Sequence, residues 1–130
     1  MAKALDVMHA ANAEAAKGNW DGVRAFFHED LVMYEADSIP YGGAYHGHAG
    51  HAELKEKQQQ AWANNVIHPI TYLGDDNHAV SITRKVAIAR ATGRPIDVHV
   101  TSWWKMRGDK VAEIRVFYED AGAITAALTP

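Results

Sequence analysis

The chain has 130 residues, no cysteine, and a net charge of −3 with its eight histidines neutral. That length holds one domain with a real core and is too short for two, and the lack of cysteine excludes disulfides, thiolate nucleophiles and Cys-based zinc sites. Acidic and basic residues are interspersed without a basic stripe, which argues against a nucleic-acid partner, and no apolar run approaches the roughly 20 residues of a membrane helix.

The start, Met1-Ala2-Lys3-Ala4-Leu5-Asp6, has no apolar leader and runs straight into a helix, so a cytoplasmic location is expected. Residues 5–17 predict an alanine-rich helix with Leu5, Met8, Asn12 and Ala15 on one face, closed by Gly18-Asn19. Residues 20–27 predict a second, short helix, and 31–36 a strand entered after Asp30. Pro40, Gly42, Gly43 and Gly47 punctuate a structured loop holding a short strand at 44–46. Residues 48–64 predict a third helix with Leu54, Gln58, Ala61 and Trp62 on one face.

After Asn64-Asn65 the period changes from about four to two. Strands are expected at 66–73, 79–91, 96–106 and 111–118, with Val80, Ile82, Val86 and Ile88 sharing one side of the second. Turns fall at Gly74-Asp75-Asp76-Asn77, Thr92-Gly93-Arg94-Pro95 and Arg107-Gly108-Asp109, and a short alanine-rich helix follows Asp120. Helices followed by a meander of long strands predict one α+β domain over 1–130, with helices on one sheet face. Large residues stand at both parities of residues 97–104, so Val98, Val100, Trp104 and Phe117 are expected on an outer face covered by a second copy, a homodimer.

The order of elements resembles the nuclear transport factor 2-like superfamily, which includes ketosteroid isomerases and SnoaL-like polyketide cyclases. The residues that carry the resemblance are Lys17-Gly18-Asn19-Trp20-Asp21-Gly22-Val23 with Phe26-Phe27-His28-Glu29-Asp30, then Pro40-Tyr41-Gly42-Gly43-Ala44-Tyr45-His46-Gly47. The last is Lys110-Val111-Ala112-Glu113-Ile114-Arg115-Val116-Phe117-Tyr118. The resemblance implies a cone: three N-terminal helices on a curved antiparallel sheet that encloses one pocket. It implies a small apolar or carbonyl-containing ligand and no cofactor, alongside the homodimer and the lack of a membrane segment expected from the residues.

Residue by residue, the resemblance places the catalytic carboxylate at Glu35. The isomerases' oxyanion-binding tyrosine falls near Ala11 and their second acid near Thr101, so both donors are missing; His99, two residues earlier, could take a polar role. A carboxylate facing an apolar cavity is desolvated and becomes a usable base near neutrality; the bland alternative sets Glu35 on a solvent-facing rim. His99 is either a proton relay or a structural histidine oriented by Asp97. Trp103 and Tyr118 are expected to turn inward, with Tyr45, Trp62 and Thr101 as further pocket wall and Asn12 as a donor from the first helix.

Arg84 stands among apolar neighbours, at the surface by way of a bulge or inward against a carboxylate. His46, His48 and His51 form an H-x-H-x-x-H cluster, read as a solvated rim because zinc sites need more ligands held rigidly. The functions in competition are a cofactor-independent isomerase, cyclase or dehydratase and a non-catalytic ligand-binding or dimerisation module. Epoxide hydrolysis is a third, with only Arg84 and Asp97 to supply its groups.

Overall fold

A computed structural model describes residues 2–130. The elements in chain order are α1 (Lys3–Ala16), α2 (Trp20–Arg24), β1 (Phe27–Glu35), β2 (Gly43–His46), α3 (Gly47–Ala61), β3 (Trp62–Gly74), β4 (His78–Ala89), β5 (Pro95–Arg107), β6 (Lys110–Tyr118) and α4 (Ala121–Leu128).

Alanine carries the highest helix propensity and sets α1. Gly18, at φ +73°, closes it in a left-handed conformation, its N–H donating to Ala15 O. The buried stripe of α1 is Ala4, Met8 and Ala11, rotated from the expected one, so Asn12 sits half-buried at its edge. Asn19 caps α2 by accepting from Gly22 N at 3.1 Å. That helix ends at Arg24, before the expected 27, because Phe27 already pairs with Val111 in the sheet.

The six strands lie in the order β2-β1-β6-β5-β4-β3. Every neighbouring pair is antiparallel except β1 and β6, which run parallel. The rest of the sheet is the antiparallel meander expected. Register shifts in β1–β6, β3–β4 and β5–β6 are the bulges that let a long sheet bend. The helices cover the concave face, burying a core whose largest fully enclosed side chains are Met8, Leu31, Leu54, Ile114, Ile124 and Val111.

Strand parity decides everything about the site. On β4 the inward residues are Ala79, Ser81, Lys85, Ala87 and Ala89, all buried, whereas Arg84 and Ile88 are exposed. Small residues face in because α1 packs across this strand, and the branched residues Val80, Ile82, Val86 and Ile88 face out. On β5, Ile96, Val98, Trp104 and Met106 are buried, and Asp97, His99 and Lys105 are exposed. Val98, Val100 and Trp104 are thus inner residues, not the outer ones expected. The outer face is nevertheless apolar, through Phe117, Leu73, Ile70, Val66 and Ile88.

The loop between β1 and β2 turns tightly, with Ile39 N donating to Ala36 O and Gly42 N to Ile39 O. A Cβ on Gly42 would overlap the Ala36 carbonyl oxygen. Gly42→Ala is therefore expected to cost about 2–4 kcal/mol of stability by forcing backbone apart. Urea unfolding at constant m-value measures it, and an unchanged midpoint would contradict the tight turn.

Candidate active site

Parallel pairing of β1 and β6 sets their C-terminal ends side by side, with Tyr34 opposite Arg115. Glu35, the last residue of β1, shares inward parity with Leu31 and Met33; Tyr118, the last of β6, shares it with Ile114 and Val116. The Tyr118 hydroxyl donates to Glu35 Oε1 at 2.6 Å. Glu35 is only 5% exposed, and its Oε2 is buried with no protein partner among the described residues. Burial raises its pKa, against the Tyr118 hydrogen bond and the charges of Lys55 and Lys85, which lower it. A carboxylate so placed holds its proton more readily than one in water.

Tyr41 and Trp62 extend the cluster. Trp62 Nε1 donates to the Tyr41 hydroxyl at 3.0 Å, and the Tyr45 hydroxyl donates to the Tyr41 carbonyl at 2.7 Å, pinning the loop that presents Tyr41. Burial raises the pKa of both Tyr41 and Tyr118, so each stays a hydrogen-bond donor. Tyr41 also lines a recess of about 310 Å³ with Pro40, Lys57, Gln60, Ala61 and Leu128. Tyr41 thus belongs both to the wall of that recess and to the buried cluster through Trp62.

Two lysines complete the cluster, Lys85 buried and Lys55 half-buried. Lys85 is 7% exposed; its Nζ donates to Asn65 Oδ1 at 2.7 Å and lies 5.3 Å from the centre of the Trp62 ring. Burial first, and the charge of Lys55 second, push it down to about 8, while Glu35 acts the other way. Lys55 on α3 lies 4.8 Å from the Trp20 ring centre and donates to Gln58 Oε1 at 3.1 Å. Burial lowers its pKa, and Glu35 opposes the shift.

Of the residues expected at the site, Glu35, Trp62 and Tyr118 come together, with Tyr45 bracing the loop beside them. His99, Thr101 and Trp103 do not join them. They lie on the outer face of β5, because its inner parity is the even one that carries Val98 and Trp104 against the helices. His99 Nδ1 pairs with Glu119 Oε2 at 2.7 Å, Trp103 tilts over His78, and Thr101 lines an outer groove. Asn12, half-buried on α1, is not part of the cluster. Arg84 is outward too, without a bulge of its own, and grips Asp97 through Nε and Nη2 at 2.8 and 2.6 Å.

The three histidines go separate ways. His46 is exposed, His48 Nε2 donates to Phe27 O at 2.9 Å, and His51 Nδ1 faces Arg24 Nη1 at 3.3 Å. Burial pushes His51 down to about 3, so it is neutral and accepts at Nδ1. No group of three or more His, Asp or Glu among the described residues could hold a metal, and no described helix is long and apolar enough to cross a membrane.

Sequence reasoning missed Lys55, Lys85 and the central place of Tyr41. The signal for Lys85 was the run of small residues on its own parity, Ala79, Ser81, Ala87 and Ala89. Such a run marks the side of a strand on which a helix lies.

No curated protein matches the chain by sequence. Among solved structures it is similar to a nuclear transport factor 2-like protein from Burkholderia thailandensis E264, at TM-score 0.92 and 14% identity over 100% of both chains. It is also similar to a putative SnoaL-like polyketide cyclase from Jannaschia sp. CCS1, at TM-score 0.81 and 13% identity over 98% and 93%. A protein with a ketosteroid isomerase-like fold from Catenulispora acidiphila DSM 44928, in complex with trimethylamine, matches at TM-score 0.76 and 13% identity over 95% and 93%. At such identities the likeness is one of fold. The SnoaL-like domain model, in contrast, matches the sequence itself over residues 8–114. The helices over a bent sheet and the inward carboxylate are set in a chain that belongs to the SnoaL-like domain family.

Proposed function

We propose that this protein is a cofactor-independent acid–base enzyme, an isomerase, cyclase or dehydratase, acting on a small carbonyl compound with Glu35 as the proton carrier. The observation that supports this most is the buried Oε2 of Glu35, which has no partner among the described residues. Leaving a buried polar atom unpaired costs about 1–3 kcal/mol, a cost worth keeping where a ligand atom completes the contact.

In this reading Glu35 takes a proton from the carbon next to a carbonyl, and the electron pair moves onto oxygen as an enolate. The phenol of Tyr41 and the positive charge of Lys55 stabilise that oxygen, and Glu35 returns the proton elsewhere on the substrate. The Tyr118 hydrogen bond keeps the carboxylate ionisable despite its burial. The test is exchange of α-protons in D2O, followed by NMR over a panel of cyclic ketones and 1,3-diketones. Acceleration of at least one compound is expected, and none across the panel would overturn the reading.

The alternative, a non-catalytic ligand-binding or dimerisation module, is favoured by the apolar outer face. Phe117 there is 55% exposed and Leu73 60%, and an open groove of about 550 Å³ runs between Ile70, Ile82, Thr101 and Phe117. The occupant we infer is a second copy of the chain. The patch carries both signs of charge, in Arg84 and Asp97, which suits an isologous contact of the patch with its own copy. Sedimentation is expected to show a dimer, and Phe117→Glu with Leu73→Glu a folded monomer; a monomeric wild type would overturn it. A cytoplasmic location belongs to the same reading.

A further inference from the structure

We propose that Lys85 is a nucleophilic amine that captures a small aldehyde or ketone inside the cone as an imine, with Glu35 moving the protons. Its ammonium end is walled by Trp62 and held by a neutral acceptor, Asn65 Oδ1, instead of a carboxylate. Among the described residues it makes no ion pair within 4.0 Å. Two features that activate a lysine meet here: removal from water, and a second ammonium group nearby, Lys55. The titratable groups turned to the same interior are Glu35 from β1, Tyr118 from β6, Tyr41 from the β1–β2 loop and Lys55 from α3. Of these only Glu35 favours the charged amine.

The step needs no oxidant or metal. The nitrogen lone pair of Lys85 attacks the carbonyl carbon, and the carbonyl oxygen takes a proton to give a carbinolamine. A proton delivered by Glu35 lets that oxygen leave as water while the C=N bond forms and nitrogen gives up its proton. One amine and one carbonyl yield one imine and one water. A protonated imine draws electrons from the neighbouring C–H bond more strongly than the parent carbonyl, so Glu35 would have an easier proton to take.

The inference extends the acid–base reading and needs it only for the proton transfers. The test uses the intact protein with butanal, and separately cyclohexanone, at pH 7 in the presence of cyanoborohydride, followed by peptide mapping. The chain has seven lysines, at 3, 17, 55, 57, 85, 105 and 110, so the exposed ones serve as internal controls. An amine at about 8 has a neutral fraction at pH 7 roughly 100-fold or more above one at the usual value of about 10.4. The expected result is an adduct concentrated at Lys85, with the mass of the carbonyl compound less the oxygen lost as water, after reduction. Lys85→Arg, which keeps the charge without a condensing amine, is expected to lose that adduct while the exposed lysines label as before. Label spread over the exposed lysines with Lys85 untouched overturns the proposal. An adduct at Lys85 with α-proton exchange unaffected by Glu35→Gln sustains the imine and sinks the acid–base reading; exchange lost in Glu35→Gln with no adduct does the reverse.

Discussion

Glu35→Gln is expected to slow α-proton exchange by about 10²–10⁴-fold, the usual weight of a positioned general base, while the protein stays folded. Gln fits the same space, and its carbonyl can accept from Tyr118 as Glu35 Oε1 does; what it cannot do is carry a proton. In the wild type the rate should climb as pH rises through the raised pKa of Glu35, since only the ionised form is a base, and the variant should lack that limb. Stability moves in the other direction. A carboxyl whose pKa is higher folded than unfolded binds more protons in the native state, so wild-type stability falls as pH rises from the unfolded value through the folded one. Glu35→Gln removes that slope and should be at least as stable at neutral pH. A variant that exchanges protons at the wild-type rate would remove Glu35 from the chemistry.

Lys85→Met is expected to stabilise the protein by on the order of 2 kcal/mol at pH 7. The charged amine costs free energy where it stands, since burial and Lys55 hold it down at about 8. An apolar chain of similar length fills the space beside Trp62 without that cost, at the loss of one hydrogen bond to Asn65. The sign follows from linkage: the unfolded state binds the extra proton between about 8 and the ordinary lysine value, so wild-type stability rises with pH across that window. The gain from Lys85→Met should therefore shrink as pH is raised towards 10 in thermal melts. A loss of stability at pH 7 would mean that the ammonium is well solvated or paired, contrary to its surroundings here.

The fold was largely legible because both of its periods are strong. Helix-forming alanines and the change to alternation after Asn65 located every element, and the Gly and Pro positions located the turns. The direction in which strand residues point was harder. On β4 the branched residues Val80, Ile82, Val86 and Ile88 look like a core, yet they form the outer face, and the core side is made of Ala and Ser so that α1 can approach. On β5 both parities carry large side chains, so alternation gave no sign, and His99, Thr101 and Trp103 were assigned to the wrong face. Glu35 and Tyr118 were expected inward from the family resemblance, and the alternation at the end of β6 agrees, with exposed Arg115 and Phe117 flanking buried Val116. The Arg84 anomaly needed no bulge once the whole parity faced out.

The parallel join of β1 to β6 has a consequence for how the protein is made. Glu35 and Tyr118 are 83 residues apart in sequence, so a chain emerging from the ribosome holds the acid long before its phenol exists. Until β6 inserts, β1 has only β2 beside it, and the carboxylate remains hydrated and ordinary. The burial and the hydrogen bond that distinguish it arrive only with β6, and any product truncated before residue 110 lacks both.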